Sequence, residues 1–346
     1  MTLQVTEINI EKTITLDGTP RGPALGVLAD GSLLLGGGNS GGSIFLMDPT
    51  SNIIKEVGRL IPSNRRKIDS RFAITDIAVL SENASSARLL ISYPRLGTDK
   101  ACVEVVVEAV ILDRRFKKIS NRRTWFISKP CVPISAVQHA SGRIEPLDKS
   151  SAYLTIGDLG FSQINNRSKR GDLGSIFRIS ATSVLKVSQG HRNAQGIVLY
   201  KKRYLLASEH GPRGGDELNL IKPGKDYGWP FVTYGQPYGD DDYVRPLKVE
   251  THVGYRKPIT YWVPSIAPTG LVELPLTPKW GEWAGMLAMG TLAEKSLVLI
   301  ALDRNLMVIK SEIIFFGERM RDLDLDSSGR LVVTTDSGKL LWIYPK

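Results

Sequence analysis

The protein has 346 residues, of which 42% are hydrophobic and 23% are charged, and its formal net charge is +10. This composition excludes a disordered or collagen-like chain, and no stretch approaches the roughly 18–20 apolar residues of a membrane-spanning helix. The length exceeds the roughly 250–300 residues that one hydrophobic core supports, which leaves two domains or one repeat architecture.

The basic excess is compatible with a nucleic acid, an anionic membrane or an acidic ligand as a partner, and equally with a solvated basic surface. The basic residues form short clusters that are spread along the chain, at 65–67, 114–118, 122–123 and 201–203. No helix-turn-helix, zinc-finger or RNP signature accompanies these clusters. We therefore favour a solvated surface and expect no nucleic-acid partner.

Short β-rich runs bounded by Gly, Pro, Asn and Asp recur along the whole chain, and no convincing helix pattern interrupts them. In chain order the predicted strands are residues 32–35, 43–47, 74–80, 89–92, 103–112, 153–156, 176–179, 196–199, 204–208, 297–302, 306–315, 330–335 and 340–344. Their spacing indicates sheets of about four strands, each built from roughly 40–60 residues, so that the chain divides into about six units. The pattern predicts an all-β fold, a six-bladed β-propeller with four-stranded antiparallel blades in a single domain over residues 1–346. A pair of β-sandwiches is the alternative fold.

The N-terminal residues 1–7 contain neither a basic region nor an apolar run, so they do not look like a signal peptide. The sequence by itself leaves two alternatives, a cytoplasmic protein and an exported protein whose leader has been removed.

Cysteine and histidine usage limits the covalent and metal chemistry of the chain. Cys102 and Cys131 are the only two cysteines, which allows either one disulfide bridge or two buried thiols. The four histidines are scattered without the spacing of metal ligands, which argues against a zinc site.

Polar and aromatic residues concentrate on Gly-rich turns in the second half of the chain, and turns on a rigid scaffold often carry a functional site. Arg192 offers a planar donor fork that suits a carboxylate. Gly211 and Pro212 expose carbonyl oxygens, and with the carboxylate of Glu217 they are the ligand types that Ca²⁺ prefers. The alternative is a set of ordinary propeller turns in which Asp216 and Glu217 are surface acids.

These turns resemble the glucose/sorbosone dehydrogenase family, and within it the soluble PQQ-dependent aldose sugar dehydrogenases in particular. Residues 190–196 read GHRNAQG, residues 208–219 read SEHGPRGGDELN and residues 227–230 read YGWP, which match the family pattern almost residue for residue. Further matches at residues 139–144, 155–158, 262–270, 280–292, 319–322 and 335–336 extend the resemblance over about residues 70–345. The resemblance implies a PQQ- and calcium-dependent enzyme that oxidises aldose sugars at the anomeric carbon and passes electrons to an external acceptor.

The resemblance also implies roles for single residues. His139 stands where the family has its catalytic base, which takes the proton of the anomeric hydroxyl as a hydride leaves for the quinone C5. The positions that match cofactor-binding residues are Arg192, Asn193, Tyr238, Trp262, Thr291, Leu292, Ala293, Arg319 and Arg321. The positions that match calcium ligands are Gly211 and Pro212 for an ion at the active site, and Glu217 and the Tyr227 carbonyl for a second ion. Members of the family are commonly exported, so we expect a periplasmic or secreted protein.

Two positions in the second predicted unit depart from the family pattern. The family has a Gln that contacts the quinone where this chain has Arg71, and a Gly where it has Ala73. The Arg71 side chain can pair with a quinone carboxylate, or it can reshape the pocket. Two functions therefore stay open, the sugar dehydrogenase and a non-catalytic calcium-binding propeller of the same family that binds another ligand or protein.

Overall fold

The computed structural model describes residues 2–10, 15–16, 19–37, 41–48, 50–66, 71–134, 139–239 and 242–346. The described strands form six blades of four or five strands each, together with two short ribbons. The blades are antiparallel apart from one two-residue parallel pairing, of residues 188–189 with 225–226. The predicted all-β, six-bladed β-propeller is therefore confirmed. Within the described ranges no helix is both long enough and apolar enough to cross a lipid bilayer.

The first half of the chain builds three blades, each starting at the innermost strand. The chain begins with β1 (Leu3–Asn9) and a ribbon of β2 (Thr15–Leu16) and β3 (Thr19–Pro20). Blade 1 contains β4 (Ala24–Val27), β5 (Leu33–Gly37), β6 (Ser43–Met47) and β7 (Ile54–Arg59), followed by a 3₁₀ helix at Ser63–Arg65. Blade 2 contains β8 (Asp76–Glu82), β9 (Ser86–Leu96), β10 (Cys102–Asp113) and β11 (Lys118–Ile127), with β12 (Val132–Pro133) paired to β10. Blade 3 contains β13 (Ser141–Asp148), β14 (Ser151–Ile156), β15 (Ser175–Ser180) and β16 (Val184–Gln189).

The second half of the chain builds the other three blades. Blade 4 contains β17 (Ala194–Tyr200), β18 (Tyr204–Glu209) and β19 (Asp216–Leu220). An insertion then supplies β20 (Lys225–Asp226), which joins blade 3, and the ribbon of β21 (Val232–Thr233) and β22 (Lys248–Val249), before β23 (Thr260–Trp262) completes blade 4. Blade 5 contains β24 (Pro268–Glu273), a 3₁₀ helix at Pro278–Trp283, β25 (Leu287–Thr291), β26 (Ser296–Leu302) and β27 (Val308–Phe315). Blade 6 contains β28 (Met320–Leu325), β29 (Leu331–Thr335) and β30 (Lys339–Pro345), with β1 as its outermost strand.

The six innermost strands close into a ring. In order around the channel, β4, β8, β13, β17, β24 and β28 each contact the next, and β28 contacts β4. The closure is strengthened by β1, which pairs antiparallel with β30 from Leu3↔Pro345 to Asn9↔Lys339. The two ends of the chain are therefore hydrogen-bonded in one sheet, and every blade has a neighbour on both sides.

The hydrophobic core is divided among the blade interfaces. The described residues form six apolar clusters, one between each pair of adjacent blades. For example, Ile44 of blade 1 and Ile91 of blade 2 are fully buried in the same cluster. Burying one such side chain contributes about 1.5–3 kcal/mol. Because each blade packs only on its neighbours, the chain exceeds the size of a single core without needing one large interior.

The two cysteines form one disulfide bridge, which decides between the two alternatives that the sequence leaves. Cys102 begins β10, and Cys131 lies just before β12, with their Cα atoms 5.5 Å apart. Since β12 pairs with β10, the bridge lies beside backbone hydrogen bonds that already join the two segments. It fastens the end of blade 2 immediately before the turn that leads into β13.

A buried guanidinium braces the channel between blades. Arg143 on β13 forms an ion pair with Asp322 on β28, and its other amino group donates to the carbonyl of Thr75 at 3.1 Å. Asp322 in turn accepts the backbone N–H of Leu25 at 2.9 Å. These contacts connect the innermost strands of blades 1, 3 and 6 with the turn that leads into blade 2.

Three more carboxyl groups line the same part of the channel, a cavity of about 270 Å³. They belong to Asp76, Glu145 and Asp324, and burial raises the pKa of each to about 7. Arg143 is the only basic residue that lines this cavity within the described part of the chain. The acids therefore outnumber the cations, and the channel favours protonated carboxyl groups.

We predict that the free energy of unfolding decreases as the pH rises from about 5 to about 7. A carboxyl group whose pKa is higher in the folded chain contributes stability at low pH, and that contribution is lost as the pH rises through about 7. Asp324→Asn keeps an acceptor for the N–H of Leu325 but removes one titrating group. In this variant the free energy of unfolding, measured by urea unfolding at a series of pH values, falls less steeply with pH. The difference in slope from the wild type is up to about 1.4 kcal/mol per pH unit.

The exposed Glu294 supplies the matched control for this prediction. Glu294→Gln removes one carboxyl group outside the channel and keeps the wild-type slope. Equal slopes for the wild type and Asp324→Asn would contradict the prediction.

Candidate active site

His139 lies in the turn that leads into β13, the innermost strand of blade 3. Its backbone φ is 52°, in the left-handed region that non-glycine residues seldom adopt. The turn packs against Gly157, where a Cβ atom would lie 1.8 Å from the His139 carbonyl oxygen, so that only glycine fits there. The imidazole Nδ1 lies 2.9 Å from Oδ1 of Asp158. The glycine and the carboxylate together hold the ring in one orientation.

The Asp158 carboxylate is fully buried and accepts hydrogen bonds from segments far apart in the chain. Oδ1 accepts from His139 and from the backbone N–H of Gly160 at 2.9 Å. Oδ2 accepts from the Trp229 indole at 2.7 Å and from the Tyr243 hydroxyl. Because an ionised carboxylate has no proton to donate, the proton of the first contact belongs to His139 Nδ1. The imidazole is left with Nε2 as its proton acceptor.

The charges around His139 determine its protonation state. Burial and the nearby Arg192 guanidinium lower the pKa of His139 below its ordinary value, and Asp158 offsets only part of this. Burial by itself would raise the pKa of Asp158, but His139 and Arg192 more than offset it, so that the pKa of Asp158 is lowered. At neutral pH the pair is therefore a neutral imidazole beside an ionised carboxylate.

His139 lines a cavity of about 170 Å³, which we call the central cavity, where turns from several blades meet. The described residues that line it are Arg21, Arg71, Thr75, His139, Ala140, Ser141, Asn193, Gln195, His210 and Arg321. They come from blades 2, 3, 4 and 6 and from the segment before blade 1. Of the predicted site residues, the structure thus brings His139, Asn193 and Arg321 to one cavity.

Asn193 is fixed by hydrogen bonds in the wall of the central cavity. Its side-chain oxygen accepts from the Ser141 hydroxyl at 3.1 Å and from the Gln195 amide at 2.8 Å. Its amide nitrogen lies 3.4 Å from Nδ1 of His210, whose Nε2 donates to the Pro268 carbonyl at 2.7 Å. Burial lowers the pKa of His210 to about 4, so this imidazole is neutral and Nδ1 is an acceptor. This part of the wall is therefore polar and uncharged.

Arg192 is buried close to His139. Its guanidinium carbon lies 5.3 Å from the centre of a Trp229 ring, and Nη1 donates to the Gly211 carbonyl at 2.5 Å. Burial lowers the pKa of Arg192, but Tyr243 and Asp158 more than offset this and the pKa is raised. Its Nε is buried with no partner among the described residues. Arg192 is thus a permanent cation with one donor still available.

Arg319 and Arg321 share one carboxylate on blade 6. Nε and Nη2 of Arg321 each donate to Asp336 at 2.8 Å, and Nε of Arg319 donates to it at 3.0 Å. Arg319 also donates to the Leu292 carbonyl at 3.2 Å. A second cavity, of about 510 Å³, is lined by Arg319 and shares Arg21 and Arg321 with the central cavity. The two cavities therefore adjoin each other along a row of guanidinium groups.

Six of the nine predicted cofactor contacts line neither of these cavities: Arg192, which lines a separate cavity of about 20 Å³, and Tyr238, Trp262, Thr291, Leu292 and Ala293. Thr291 is fully buried, and its hydroxyl donates to the Ser296 carbonyl at 2.9 Å in the turn that continues through the exposed Ala293. Trp262 lies in β23 and packs against the core between blades 4 and 5. Tyr238 is 61% exposed. Their contacts with a cofactor remain a prediction from the resemblance.

Gly211 and Pro212 lie in a buried turn that is built around Asp216. Oδ1 of Asp216 accepts the N–H of Gly211 at 2.9 Å, and Oδ2 accepts the N–H groups of Ile266 and Ala267 at 2.8 and 2.7 Å. Asp216 is fully buried, so its interpretation as a surface acid is wrong. Its carboxylate instead fixes the path of the chain past Gly211.

Glu217 is also buried, which excludes it as a surface acid. Its Oε1 lies 2.7 Å from Nε2 of His252, and the Asn219 amide donates to both Glu217 and Glu209. The Asn219 side-chain oxygen is buried with no partner among the described residues. Glu209, Glu217 and Tyr227 line a cavity of about 20 Å³, which holds about one water-sized group. In the described part of the chain, no three His, Cys, Asp or Glu side chains are grouped as a metal site.

Several residues of the site are absent from the sequence-based assignment. Asp158 and Trp229 lie inside the matched stretches at 155–158 and 227–230, so the sequence carries a signal for them without showing their role. Tyr243 and Arg21 lie outside every matched stretch. Only the fold brings these two side chains to the others.

Comparison with known proteins finds one matching family and several relatives. The glucose/sorbosone dehydrogenase family matches residues 23–342. The aldose sugar dehydrogenase YliI of Escherichia coli is 28% identical over 291 residues, which cover 79% of this chain and 77% of that protein. An uncharacterized protein of Synechocystis is 32% identical over 231 residues, which cover 59% of this chain and 55% of that protein. The matched region therefore spans little more than half of the Synechocystis relative.

Solved structures share the fold over nearly the whole chain. The soluble aldose sugar dehydrogenase of Escherichia coli in its apo form has a TM-score of 0.82 at 24% identity, covering 99% of this chain and all of that one. The PQQ-bound form of aldose sugar dehydrogenase from Streptomyces coelicolor has a TM-score of 0.72 at 22% identity, covering 99% and 98%. At these identities the likeness shows a common propeller architecture.

We predict that His139 titrates below the ordinary value of a histidine, because burial and Arg192 disfavour its charged form. Two carboxylates, those of Asp158 and Asp242, favour the imidazolium, and Asp158→Asn removes the one with the larger effect, which lowers the pKa of His139 further. Nitrogen chemical shifts of the imidazole, followed by NMR across the pH range, measure both effects and show whether Nδ1 carries the proton. The exposed Asp148→Asn on the same blade is the control and leaves the titration unchanged. A His139 pKa above the ordinary value would contradict the prediction.

Proposed function

Because this chain belongs to the glucose/sorbosone dehydrogenase family, we propose that it is a quinoprotein that oxidises aldose sugars at the anomeric carbon, with PQQ as its cofactor. The observation that carries the proposal is the pair of His139 and buried Asp158 at the edge of a cavity lined by guanidinium groups. The reaction needs a base beside a site for an anionic cofactor, and these residues have the required chemistry.

His139 acts as the base in this proposal. Its Nδ1 is engaged by Asp158, so Nε2 is the atom that takes the proton of the anomeric hydroxyl. Asp158 stabilises the imidazolium that forms, and its bonds to Trp229 and Tyr243 keep the carboxylate in place while the charge changes. When bound, the quinone supplies the acceptor for the hydride that leaves the anomeric carbon, so the sugar loses a proton and a hydride and becomes a lactone.

The residues around the cavity suit a quinone that carries three carboxylates. Arg321 lines the central cavity, and Arg319 lines the cavity that adjoins it. The buried Nε of Arg192 has no partner among the described residues, so it has a donor available for an anion. Guanidinium groups bind carboxylates through paired hydrogen bonds. The charge and the donor set therefore support PQQ at this site.

The two positions proposed for calcium differ in how well they suit the ion. The Gly211 carbonyl accepts from the Arg192 guanidinium, so a cation at this oxygen would lie against another cation. As arranged here these residues do not suit Ca²⁺, and we derive no step of the reaction through it. The second position offers two carboxylates, those of Glu209 and Glu217, beside the unpaired oxygen of Asn219. His252 contacts Glu217 there, and Arg192 lines the same small cavity.

A non-catalytic propeller that binds another ligand is the second candidate function. Arg71, which lines the central cavity where the family has a Gln, is the observation that favours it. Reconstitution with PQQ and Ca²⁺, followed by an assay of dye reduction with several aldoses, separates the two functions. Dye reduction supports the dehydrogenase, and its absence together with loss of quinone absorbance after gel filtration supports the alternative.

We predict that His139→Asn lowers kcat by about 10²–10⁴-fold, the usual contribution of a general base. Asn tolerates a positive φ better than most residues, so this substitution preserves the turn. Quinone absorbance after gel filtration stays at the wild-type level, because the guanidinium groups are unchanged. A variant that keeps its quinone and the wild-type kcat would remove His139 from the reaction.

We predict that Ca²⁺ raises the Tm of the protein through the position at Glu217. A ligand present at a hundredfold excess over its Kd stabilises a fold by about 2.7 kcal/mol. Differential scanning calorimetry with added CaCl₂ or EGTA measures the shift. Glu217→Gln removes the charge that attracts the ion and abolishes the shift, whereas the exposed Glu294→Gln keeps it. The same Tm with CaCl₂ and EGTA in the wild type would exclude calcium from this position.

A further inference from the structure

Tyr243 reaches the candidate site from a loop that is anchored near both of its ends. The loop joins β21 to β22 in the insertion of blade 4, and the structure describes its residues 234–239 and 242–247. Near its start, Gln236 exchanges two backbone hydrogen bonds with Arg213, at 2.8 and 2.9 Å. Near its end, Val244 is buried in the same apolar cluster as Trp229, and the Tyr243 ring packs against that cluster. The position of the Tyr243 hydroxyl group is therefore fixed by the packing of its ring.

The hydroxyl group of Tyr243 contacts both the proposed base and the carboxylate that holds it. The hydroxyl donates to Oδ2 of Asp158, the oxygen that also accepts from the Trp229 indole at 2.7 Å. Its oxygen lies 3.5 Å from Nδ1 of His139, and the centres of the two rings are 5.9 Å apart. Burial and the charge of Asp158 raise the pKa of Tyr243, so the hydroxyl keeps its proton at neutral pH.

Tyr243 does not line the space in which a sugar would meet the base. It is not among the described residues that line the central cavity, whereas His139 is one of them. It also lies outside every stretch of sequence that matches the family pattern. A contribution of Tyr243 to the reaction would therefore be made through Asp158.

The charge of Asp158 acts on the imidazole and on the other donors at the same time. An ionised carboxylate favours the imidazolium form of a neighbouring histidine. A carboxylate that accepts a further hydrogen bond from a neutral hydroxyl has less charge left to stabilise the imidazolium. With the Tyr243 hydroxyl removed, Asp158 would favour the charged form of His139 more strongly.

The other titratable groups around His139 keep their charges when this hydroxyl is removed. Arg192 disfavours the imidazolium, and Asp242, which lies on the same loop as Tyr243, favours it. Burial lowers the pKa of His210 to about 4, so this imidazole is neutral. The remaining charged groups in the described lining of the central cavity are Arg21, Arg71 and Arg321. The hydroxyl of Tyr243 can thus be removed without changing any formal charge near the base.

We propose that Tyr243 is a positioning residue for the reaction. Through its hydrogen bond it holds Asp158 in place and takes up part of the carboxylate charge, so that the imidazole of His139 stays neutral and Nε2 can accept a proton. The inference rests on the proposed function, since it assigns a further residue to the same site. It goes beyond that function because the family resemblance gives Tyr243 no role.

The first experiment follows the His139 imidazole in the protein without cofactor, so that it does not depend on turnover. Nitrogen chemical shifts are measured by NMR across the pH range, and the His139 signal is identified by its loss in His139→Asn. Tyr243→Phe removes the hydroxyl and keeps the ring in the apolar cluster. Tyr261→Phe is the matched control, because it removes a hydroxyl from a side chain of the same blade that is 47% exposed.

We expect the pKa of His139 to rise by about one unit in Tyr243→Phe, since a hydrogen bond to a charged group is lost. The pKa stays at the wild-type value in Tyr261→Phe. Replacement of Tyr243 by 3-fluorotyrosine, a stronger donor that keeps the ring and the hydroxyl, shifts the pKa of His139 in the opposite direction. This second variant tests the inference even where Tyr243→Phe does not fold. An unchanged pKa of His139 in the folded variants would overturn the inference.

The second experiment measures kcat/KM against pH after reconstitution with PQQ and Ca²⁺. A base accepts a proton only in its unprotonated form, so kcat/KM rises as the pH passes through the pKa of the base. In Tyr243→Phe this rise moves to higher pH, so the loss relative to the wild type is about tenfold at low pH and becomes smaller as the pH increases. An equal loss at every pH would show a purely structural role and contradict the inference.

Two further outcomes separate this inference from its alternatives. Tyr243 is close enough to the Arg192 guanidinium to raise the pKa of that group. Loss of quinone absorbance after gel filtration of Tyr243→Phe, with the His139 titration unchanged, would assign Tyr243 to the cofactor and overturn the inference. Absence of dye reduction in the wild type counts against the proposed function, whereas the NMR titration still decides whether Tyr243 controls His139.

Discussion

The candidate site depends on one buried carboxylate. Asp158 accepts hydrogen bonds from His139 before blade 3, from Gly160 in its own loop, and from Trp229 and Tyr243 in the insertion of blade 4. A fully buried carboxylate is costly unless donors surround it, so these four donors and the charge stabilise one another. The same bonds fix the tautomer of the imidazole. Removing the carboxylate would therefore disturb both the position and the protonation of the base.

Other turns of the propeller repeat this construction with different carboxylates. Asp216 joins Gly211 to residues 265–267, and Asp336 joins two arginines to the N–H of Gly22. In the channel, Asp322 joins Arg143 to blade 1. A propeller leaves its turns outside the sheet hydrogen bonds, so their backbone donors need partners. Buried acids supply these partners and hold segments from different blades in register.

Many of the strands could be predicted from the sequence because each is a local run of β-rich residues between turn residues, as in β6 and β26. The innermost strands β13 and β24 were not predicted. The grouping of His139 with Asn193 and Arg321 came from a family resemblance. Its physical basis is that all three lie at or next to the start of an innermost strand. What the sequence did not reveal depends on long-range geometry. Tyr243 reaches Asp158 from an insertion, and Arg21 reaches Arg321 only because the ring closes.

The turn at His139 is held in a left-handed backbone conformation by hydrogen bonds of its own side chains. His139 and Ser141 have φ values of 52° and 53°, and both lie within one short turn. Non-glycine residues in this region cost of order 1–3 kcal/mol each, and they persist only where the surroundings impose them. Here the surroundings are specific, since the His139 ring is tied to Asp158 and the Ser141 hydroxyl to Asn193. Positive φ values also occur in ordinary hairpins of the chain, as at Lys201 and Lys202. What distinguishes the turn at His139 is these two hydrogen bonds, which fix the direction of the imidazole that lines the central cavity before any ligand binds.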